Sequence, residues 1–137
     1  MGRILGVDHG DRRIGIAISD PIPMIATPLK TLTVVNQTQA LEDINQIIKQ
    51  NDIEVIVIGL PLGMKGQETK QTQHVKKFAH ALEVTGIDIV LQDERLSSLT
   101  AKKILLEKNI STRDNKGLID QTAATVILQQ YLDKINQ

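Results

Sequence analysis

The first twenty residues constrain the fold more tightly than any other stretch of the chain. Two short apolar runs, at residues 3–8 and 13–19, are separated by a turn that contains Gly10. In the second run, isoleucines alternate with glycine, alanine and serine, the period-two pattern of a strand with two different faces. A connection this short joins only antiparallel neighbours. The sequence therefore predicts an opening β-hairpin, with Asp8 at the end of its first strand.

After the hairpin, the sequence alternates between strand and helix patterns. A continuous, mostly β-branched run at 54–59 is typical of a central strand that is covered on both faces. Further strands are predicted at about 28–33 and 87–91, and helices, from apolar residues spaced three and four apart, at about 37–50, 68–84, 97–108 and 117–133. This order predicts an α/β fold in one domain, residues 1–137, with a mixed five-stranded sheet and helices on both faces.

The composition indicates a globular protein and excludes some classes of site. A hydrophobic content of 41% and a charged content of 23% over 137 residues are those of one soluble domain. There is no cysteine, which excludes thiolate metal sites and cysteine nucleophiles. The longest apolar run, residues 55–62, is too short to cross a bilayer, and no leader-like segment opens the chain. We therefore expect a cytoplasmic protein that does not contact membranes.

Three acidic residues lie where an uncompensated carboxylate is costly. Asp8 ends one buried strand, Glu94 follows another, and Asp120 lies on the apolar stripe of the last helix. The helical phase of that stripe directs Asp120 toward the sheet. Each acid alone could be an ordinary cap or strand-end residue. Together, because hard divalent cations prefer oxygen ligands, they predict a Mg²⁺ or Mn²⁺ site.

Basic residues near these acids are candidates for phosphate contacts. The chain has 16 basic and 16 acidic residues, so binding to nucleic acid through overall charge is not indicated. A local cluster remains, although solvated faces give similar clusters. Its nearest members are Arg12, Arg13, Arg95 and Lys116, and it continues with Lys102, Lys103 and Arg113. Aromatic residues make up only 1% of the chain, which argues against a base-stacking platform and leaves phosphates as the main expected contacts.

Two other features bear on the site. Segment 60–67 holds two glycines and a proline after the predicted central strand, at the sheet edge where sites of α/β proteins gather. We expect a mobile loop there, with Lys65 as a candidate clamp on the substrate. His9 follows Asp8 directly, but strand alternation points its side chain away from that acid.

Four segments together resemble the YqgF/RuvX family of RNase H-like nucleases. They are GVDHGDRRIGIAISD at 6–20, GLPLGMKG at 59–66, DERLS at 93–97, and KGLID at 116–120, the last followed by an alanine pair at 123–124 and ILQQYL at 127–132. Each segment alone is only weakly specific for the family, but all four in this order are highly specific. The resemblance covers nearly the whole chain. It implies an RNase H-like fold in which Asp8, Glu94 and Asp120 are the catalytic metal ligands.

The resemblance also implies a function. Members of the family are described as nucleases of pre-16S rRNA or as Holliday-junction resolvases. The first description implies a metal-dependent nuclease that acts on structured RNA, the 5′ region of precursor 16S rRNA, in ribosome biogenesis. The loop departs from the family pattern at Lys65 and Thr69, so no substrate contact is carried over to it.

Three alternatives remain. A DNA-junction resolvase would need a dimer that presents two sites; because the sequence shows no dimer surface, we expect a monomer or a weak dimer. A phosphotransferase of the sugar-kinase type has a similar opening hairpin, but it needs two lobes and this chain supplies one. A non-catalytic module that binds nucleic acid is disfavoured by the presence of all three acids.

Overall fold

A computed structural model of the protein describes residues 2–94 and 97–137, without the side chains of residues 97–99. The strands are β1 (Arg3–His9), β2 (Arg13–Ser19), β3 (Ala26–Thr33), β4 (Ile53–Leu60) and β5 (Asp88–Asp93). The helices are α1 (Gln37–Asn51), α2 (Lys70–Leu82), α3 (Ser97–Glu107) and α4 (Lys116–Ile135). A single 3₁₀ turn, Glu83–Thr85, follows α2.

The five strands form one mixed sheet in the order β3-β2-β1-β4-β5. Strand β2 runs antiparallel to both of its neighbours, β1 and β3, whereas β1, β4 and β5 are parallel. Parallel strands end at the same edge, so the chain leaves β1, β4 and β5 on one side of the molecule, next to the start of β2. The predicted α/β fold with its opening hairpin is confirmed.

Helices cover both faces of the sheet, and strand alternation divides the core between them. On one face, Ile14, Ile16 and Ile56 pack with the apolar stripes of α1 and α2, including Ile44 and Phe78. On the other face, Ile4, Ala17 and Val57 pack with α4, through Ala124 and Leu128 among others. Helix α3 lies against α4. No helix within the described residues is long and apolar enough to cross a membrane.

Three glycines let α4 approach the sheet very closely. They are Gly15 of β2, Gly6 of β1 and Gly59 of β4, all on the face that α4 covers. A Cβ added at Gly6 would lie 2.7 Å from Cβ of Leu128, and one at Gly59 would lie 2.6 Å from Cδ1 of Ile127. A Cβ at Gly15 would overlap the backbone carbonyl of Asp120. The start of α4 therefore rests directly on β2, and this contact fixes the height of Asp120 above the sheet.

All predicted boundaries lie within two residues of the observed ones, and two of the differences have clear structural causes. Helix α2 begins at Lys70 rather than 68 because Thr69 is its N-cap and accepts a hydrogen bond from the backbone N–H of Thr72. Strand β5 extends to Asp93 rather than 91 because its pairing with β4 continues as far as Leu60. Left-handed residues end α1 and the 3₁₀ turn, with φ values of 52° at Asp52 and 78° at Gly86.

Candidate metal and nucleic-acid site

Two of the three predicted acids meet at the edge where the parallel strands end. Asp8 lies near the end of β1 on the α4 face, and Glu94 follows the last residue of β5. The Glu94 carboxylate lies over Gly59 of the intervening strand; a Cβ on that glycine would come within 2.9 Å of Oε2. The carboxyl groups of Asp8 and Glu94 are hydrogen-bonded to each other.

The ionisation of Asp8 reflects this setting. Its pKa is raised from an ordinary value of 3.8 to about 6. Burial is the largest cause, because it disfavours the charged form. The hydrogen bond with Glu94 acts in the opposite direction, and the negative charge of Asp120 raises the pKa further. The three acids therefore share one electrostatic environment, in which negative charge lacks full compensation.

Asp120 faces the sheet, as the helical phase predicted. Ala123, Ala124 and Ile127 on the same stripe are completely buried. The Asp120 carboxylate pairs with Arg13 at the start of β2, whose Nε donates to Oδ2 at 2.7 Å. The exposed fractions of the two side chains are 35% for Arg13 and 21% for Asp120, so the pair is partly shielded from water. Arg13 thus contacts one of the acids directly, whereas the sequence suggested only a contact with phosphate.

The donor set fits a hard divalent cation, although it is not preassembled. Within the described part of the chain, no group of three or more His, Cys, Asp or Glu side chains is arranged to hold a metal ion as it stands. Asp120 is paired with Arg13 instead. Three carboxylates with excess negative charge are nevertheless the oxygen ligands that Mg²⁺ and Mn²⁺ prefer.

The other predicted basic residues have different positions. Lys116 is the first residue of α4 and lines a cleft beside Asp120, together with Arg13, Lys102 and Thr112. Arg12 is exposed at the hairpin turn. Arg95 lies outside the described residues. From the sequence, Thr112 had no assigned role and Lys102 belonged only to a wider basic cluster. Both reach the cleft because α3 packs against α4, and no short sequence pattern indicates that contact.

The glycine-containing loop begins beside Glu94, whose backbone N–H donates to the Leu60 carbonyl at 3.1 Å, whereas His9 lies apart from the acids. His9 points to the opposite face, as predicted, and its ring packs on Phe78 with centroids 4.4 Å apart. Burial lowers the pKa of His9. In segment 60–67, the backbone N–H of Gly63 donates to the Gln67 carbonyl at 2.8 Å, and Lys65 is exposed. The mobility of this loop and a clamping role for Lys65 remain predictions.

The fold is that of the RuvC-type resolvases, an RNase H-like fold. The structure of Thermus thermophilus RuvC in complex with a Holliday junction substrate matches with a TM-score of 0.63 at 9% identity, over 100% of this chain and 98% of that one. A fowlpox virus resolvase, solved with Holliday junction DNA, matches with a TM-score of 0.62 at 10% identity, over 98% and 99% of the two chains. At such low identity, the likeness establishes the fold alone.

Sequence comparison is more specific. The family model RuvX, described as "Holliday junction resolvase", matches residues 2–134. A protein of Clostridioides difficile named "Putative pre-16S rRNA nuclease" is 43% identical, over 98% of this chain and 97% of its own length. A protein of the same name from a Sulfurihydrogenibium species is 42% identical, over 99% and 93%. The chain belongs to the RuvX family.

Proposed function

We propose that the protein is a metal-dependent nuclease that hydrolyses phosphodiester bonds, with Asp8, Glu94 and Asp120 as its catalytic acids. The observation that supports this most directly is the hydrogen-bonded pair of Asp8 and Glu94, which lies close enough to Asp120 for the charge of that residue to raise the pKa of Asp8. A purely structural role does not account for this clustering, because uncompensated acids destabilise a fold.

The same three carboxylates would hold Mg²⁺ or Mn²⁺. When bound, such an ion provides Lewis-acid stabilisation of charge on the phosphate and makes a nucleophile available from water at neutral pH. The rest of the machinery belongs to the chain. The glycine contacts of α4 fix the position of Asp120, and Arg13 orients its carboxylate. Arg12, Arg13, Arg95 and Lys116 would bind backbone phosphates, which orients a strand without reading its sequence.

The substrate that we propose is the 5′ region of precursor 16S rRNA, processed in the cytoplasm during ribosome assembly. Support comes from relatives that match over nearly their whole length and are named for pre-16S rRNA. The zero net charge and the scarcity of aromatic residues are compatible with a structured RNA that is held by a few local phosphate contacts.

A second candidate is the resolution of four-way DNA junctions. The description of the family model favours it, and so does the fold, which RuvC shares along its whole length. Symmetric cleavage of a junction requires two sites, and therefore a dimer on the substrate.

One experiment tests both candidates. The purified protein is incubated with a labelled RNA that spans the 5′ end of 16S rRNA and its precursor extension, and in parallel with a labelled four-way DNA junction. Each reaction is run with Mg²⁺, with Mn²⁺ and with EDTA. We expect metal-dependent cleavage of the RNA, which Asp120→Asn abolishes. Cleavage of the junction alone would select the second candidate, and cleavage that persists in EDTA would contradict the proposed metal dependence.

A further inference from the structure

A basic cleft lies beside Asp120, on the side of β2, α3 and α4. Its volume is about 380 Å³, and it is lined by Arg13, Lys102, Thr112, Lys116, Ile119 and Asp120. Neither Asp8 nor Glu94 lines it, so it adjoins the acids on the Asp120 side only. A volume of this order is typical of a small-ligand pocket and exceeds what a single water or ion needs. The cleft is therefore large enough to take a group such as a phosphate, next to the proposed catalytic acids.

The charge of the cleft is unbalanced in favour of cations. Three basic side chains face one carboxylate, and that carboxylate is already bonded to Nε of Arg13. In the described part of the chain, Lys102 and Lys116 form no ion pair with an acidic side chain, and the terminal guanidinium nitrogens of Arg13 make no hydrogen bond. These donors, together with the Thr112 hydroxyl, are available to an anion. Ile119 is the sole apolar lining residue among those described, and no aromatic ring is present.

We propose that this cleft is a second phosphate subsite, which binds the backbone phosphate adjacent to the scissile one through Lys102, Thr112, Lys116 and the terminal nitrogens of Arg13. The inference rests on the proposed nuclease function. It adds Lys102 and Thr112 to the binding machinery and gives Arg13 two partners, with Nε on Asp120 and the outer nitrogens on the substrate. Guanidinium geometry suits this bridge, because its five donors form a rigid planar fork.

The position of the cleft favours a neighbouring phosphate over the scissile one. The scissile group must reach Asp8 and Glu94, which the cleft does not include. A nucleobase is disfavoured because the described residues of the cleft include no aromatic ring on which it could stack. Because Arg13 would contact both Asp120 and the phosphate in the subsite, occupation of the subsite would also restrain the Asp120 carboxylate. Substrates that end at the cleavage site should therefore bind more weakly than those that continue into the cleft.

The first test measures equilibrium binding in EDTA, so that cleavage does not enter. The probe is an oligoribonucleotide that covers the 5′ end of 16S rRNA and its precursor extension, and the variant is Lys102→Gln. We expect an affinity loss of roughly threefold to tenfold and a slope of log affinity against log salt that is flatter by about 0.7, as for one lost phosphate contact. Lys108→Gln is the matched control, because Lys108 directly follows α3, is exposed and does not line the cleft.

The second test identifies the ligand chemistry. Single neutral methylphosphonate linkages are placed, one at a time, around the cleavage position of the same oligonucleotide. At one position the neutral linkage should weaken binding to the wild type but not to Lys102→Gln, so that the two changes are not additive. Thr112→Val, which removes a hydroxyl at nearly constant shape, should show the same position dependence. Additive effects at every position, or an unchanged salt slope for Lys102→Gln, would overturn the subsite.

These outcomes separate the subsite from the nuclease function. If the wild type cleaves RNA normally and Lys102→Gln binds like Lys108→Gln, the subsite is refuted and the nuclease function stands. If no cleavage occurs with any metal but binding depends on Lys102 at one linkage, the nuclease function is refuted and a phosphate-binding cleft is retained.

Discussion

Neutralising Asp8 should stabilise the metal-free protein while it abolishes cleavage. In Asp8→Asn the acid becomes an amide of nearly the same shape, which can donate to Glu94 and so preserve their hydrogen bond. The wild-type pKa is raised from 3.8 to about 6, which corresponds to about 3 kcal/mol of unfavourable free energy when the group is ionised. Partial screening by solvent reduces this penalty, so the figure is its upper limit.

The pH dependence follows from linkage. Between about pH 4 and 6, the folded protein holds a proton on Asp8 that the unfolded chain releases, so stability falls as the pH rises through this window. The neutral amide in Asp8→Asn carries no such penalty. At pH 8 the variant should be more stable than the wild type by up to about 3 kcal/mol, which for a domain of this size raises Tm by up to about 10 °C. At pH 4 the two proteins should be nearly equal.

The assay is urea denaturation in EDTA at several pH values, followed by circular dichroism, together with thermal melts. Glu42→Gln, on α1 and away from the acids, is the matched control and should leave the pH profile unchanged. Addition of millimolar Mg²⁺ should raise Tm of the wild type more than that of Asp8→Asn, because a bound ion stabilises only a site that retains its ligands. A variant that is less stable than the wild type at pH 8 would refute the reasoning and assign Asp8 a structural role. A gain of equal size at pH 4 would show that charge is not its cause.

Three further predictions concern contacts near Asp120 and in the turn between β2 and β3. Gly15→Ala should lower the unfolding free energy, measured by urea denaturation, by about 1–3 kcal/mol and reduce cleavage, because the new Cβ overlaps the Asp120 backbone. The control is Gly117→Ala, which should be tolerated because its Cβ would meet Thr31 at 3.4–3.7 Å. Arg13→Gln should lower the unfolding free energy by about 0.2–1 kcal/mol, as the loss of a partly exposed ion pair does; an unchanged value would contradict a stabilising role for the pair with Asp120. Asp20→Ala should destabilise the protein at pH 7, because the carboxylate accepts from the backbone N–H groups of Met24 and Ile25 and its pKa is lowered. This loss of stability should shrink as the pH falls through that lowered pKa. Thermal melts that show the same loss at pH 2.5 would contradict the prediction.

Periodic features of the sequence predicted the fold and the direction of Asp120. Alternation in β2 and the stripes of α1 and α2 repeat over several residues, so single exceptions do not obscure them. The inward direction of Asp120 followed from its phase with the buried Ala123 and Ala124. That these acids bind metal and catalyse remains a prediction, because the carboxylates are close together but not arranged around an ion.

Contacts between distant segments could not be predicted. Arg13 and Asp120 are 107 residues apart, and their pairing depends on how closely α4 approaches β2. The cleft needs α3 to lie beside α4, with Lys102 and Thr112 brought to one place by a packing angle that no local pattern records. The end of β5 was misjudged for a similar reason, since its last pairs depend on the length of β4 rather than on its own residues.

The glycine contacts beneath α4 divide the protein into two parts with different tolerance of change. On the face of α1 and α2, side chains meet side chains, so a library of core variants could exchange one apolar residue for another of similar volume and keep the fold. On the α4 face, backbone meets backbone at Gly15, and no residue larger than glycine fits. Variation aimed at new substrates would therefore have to enter through α3 and the loops, whereas α4 would keep the same height in every active descendant.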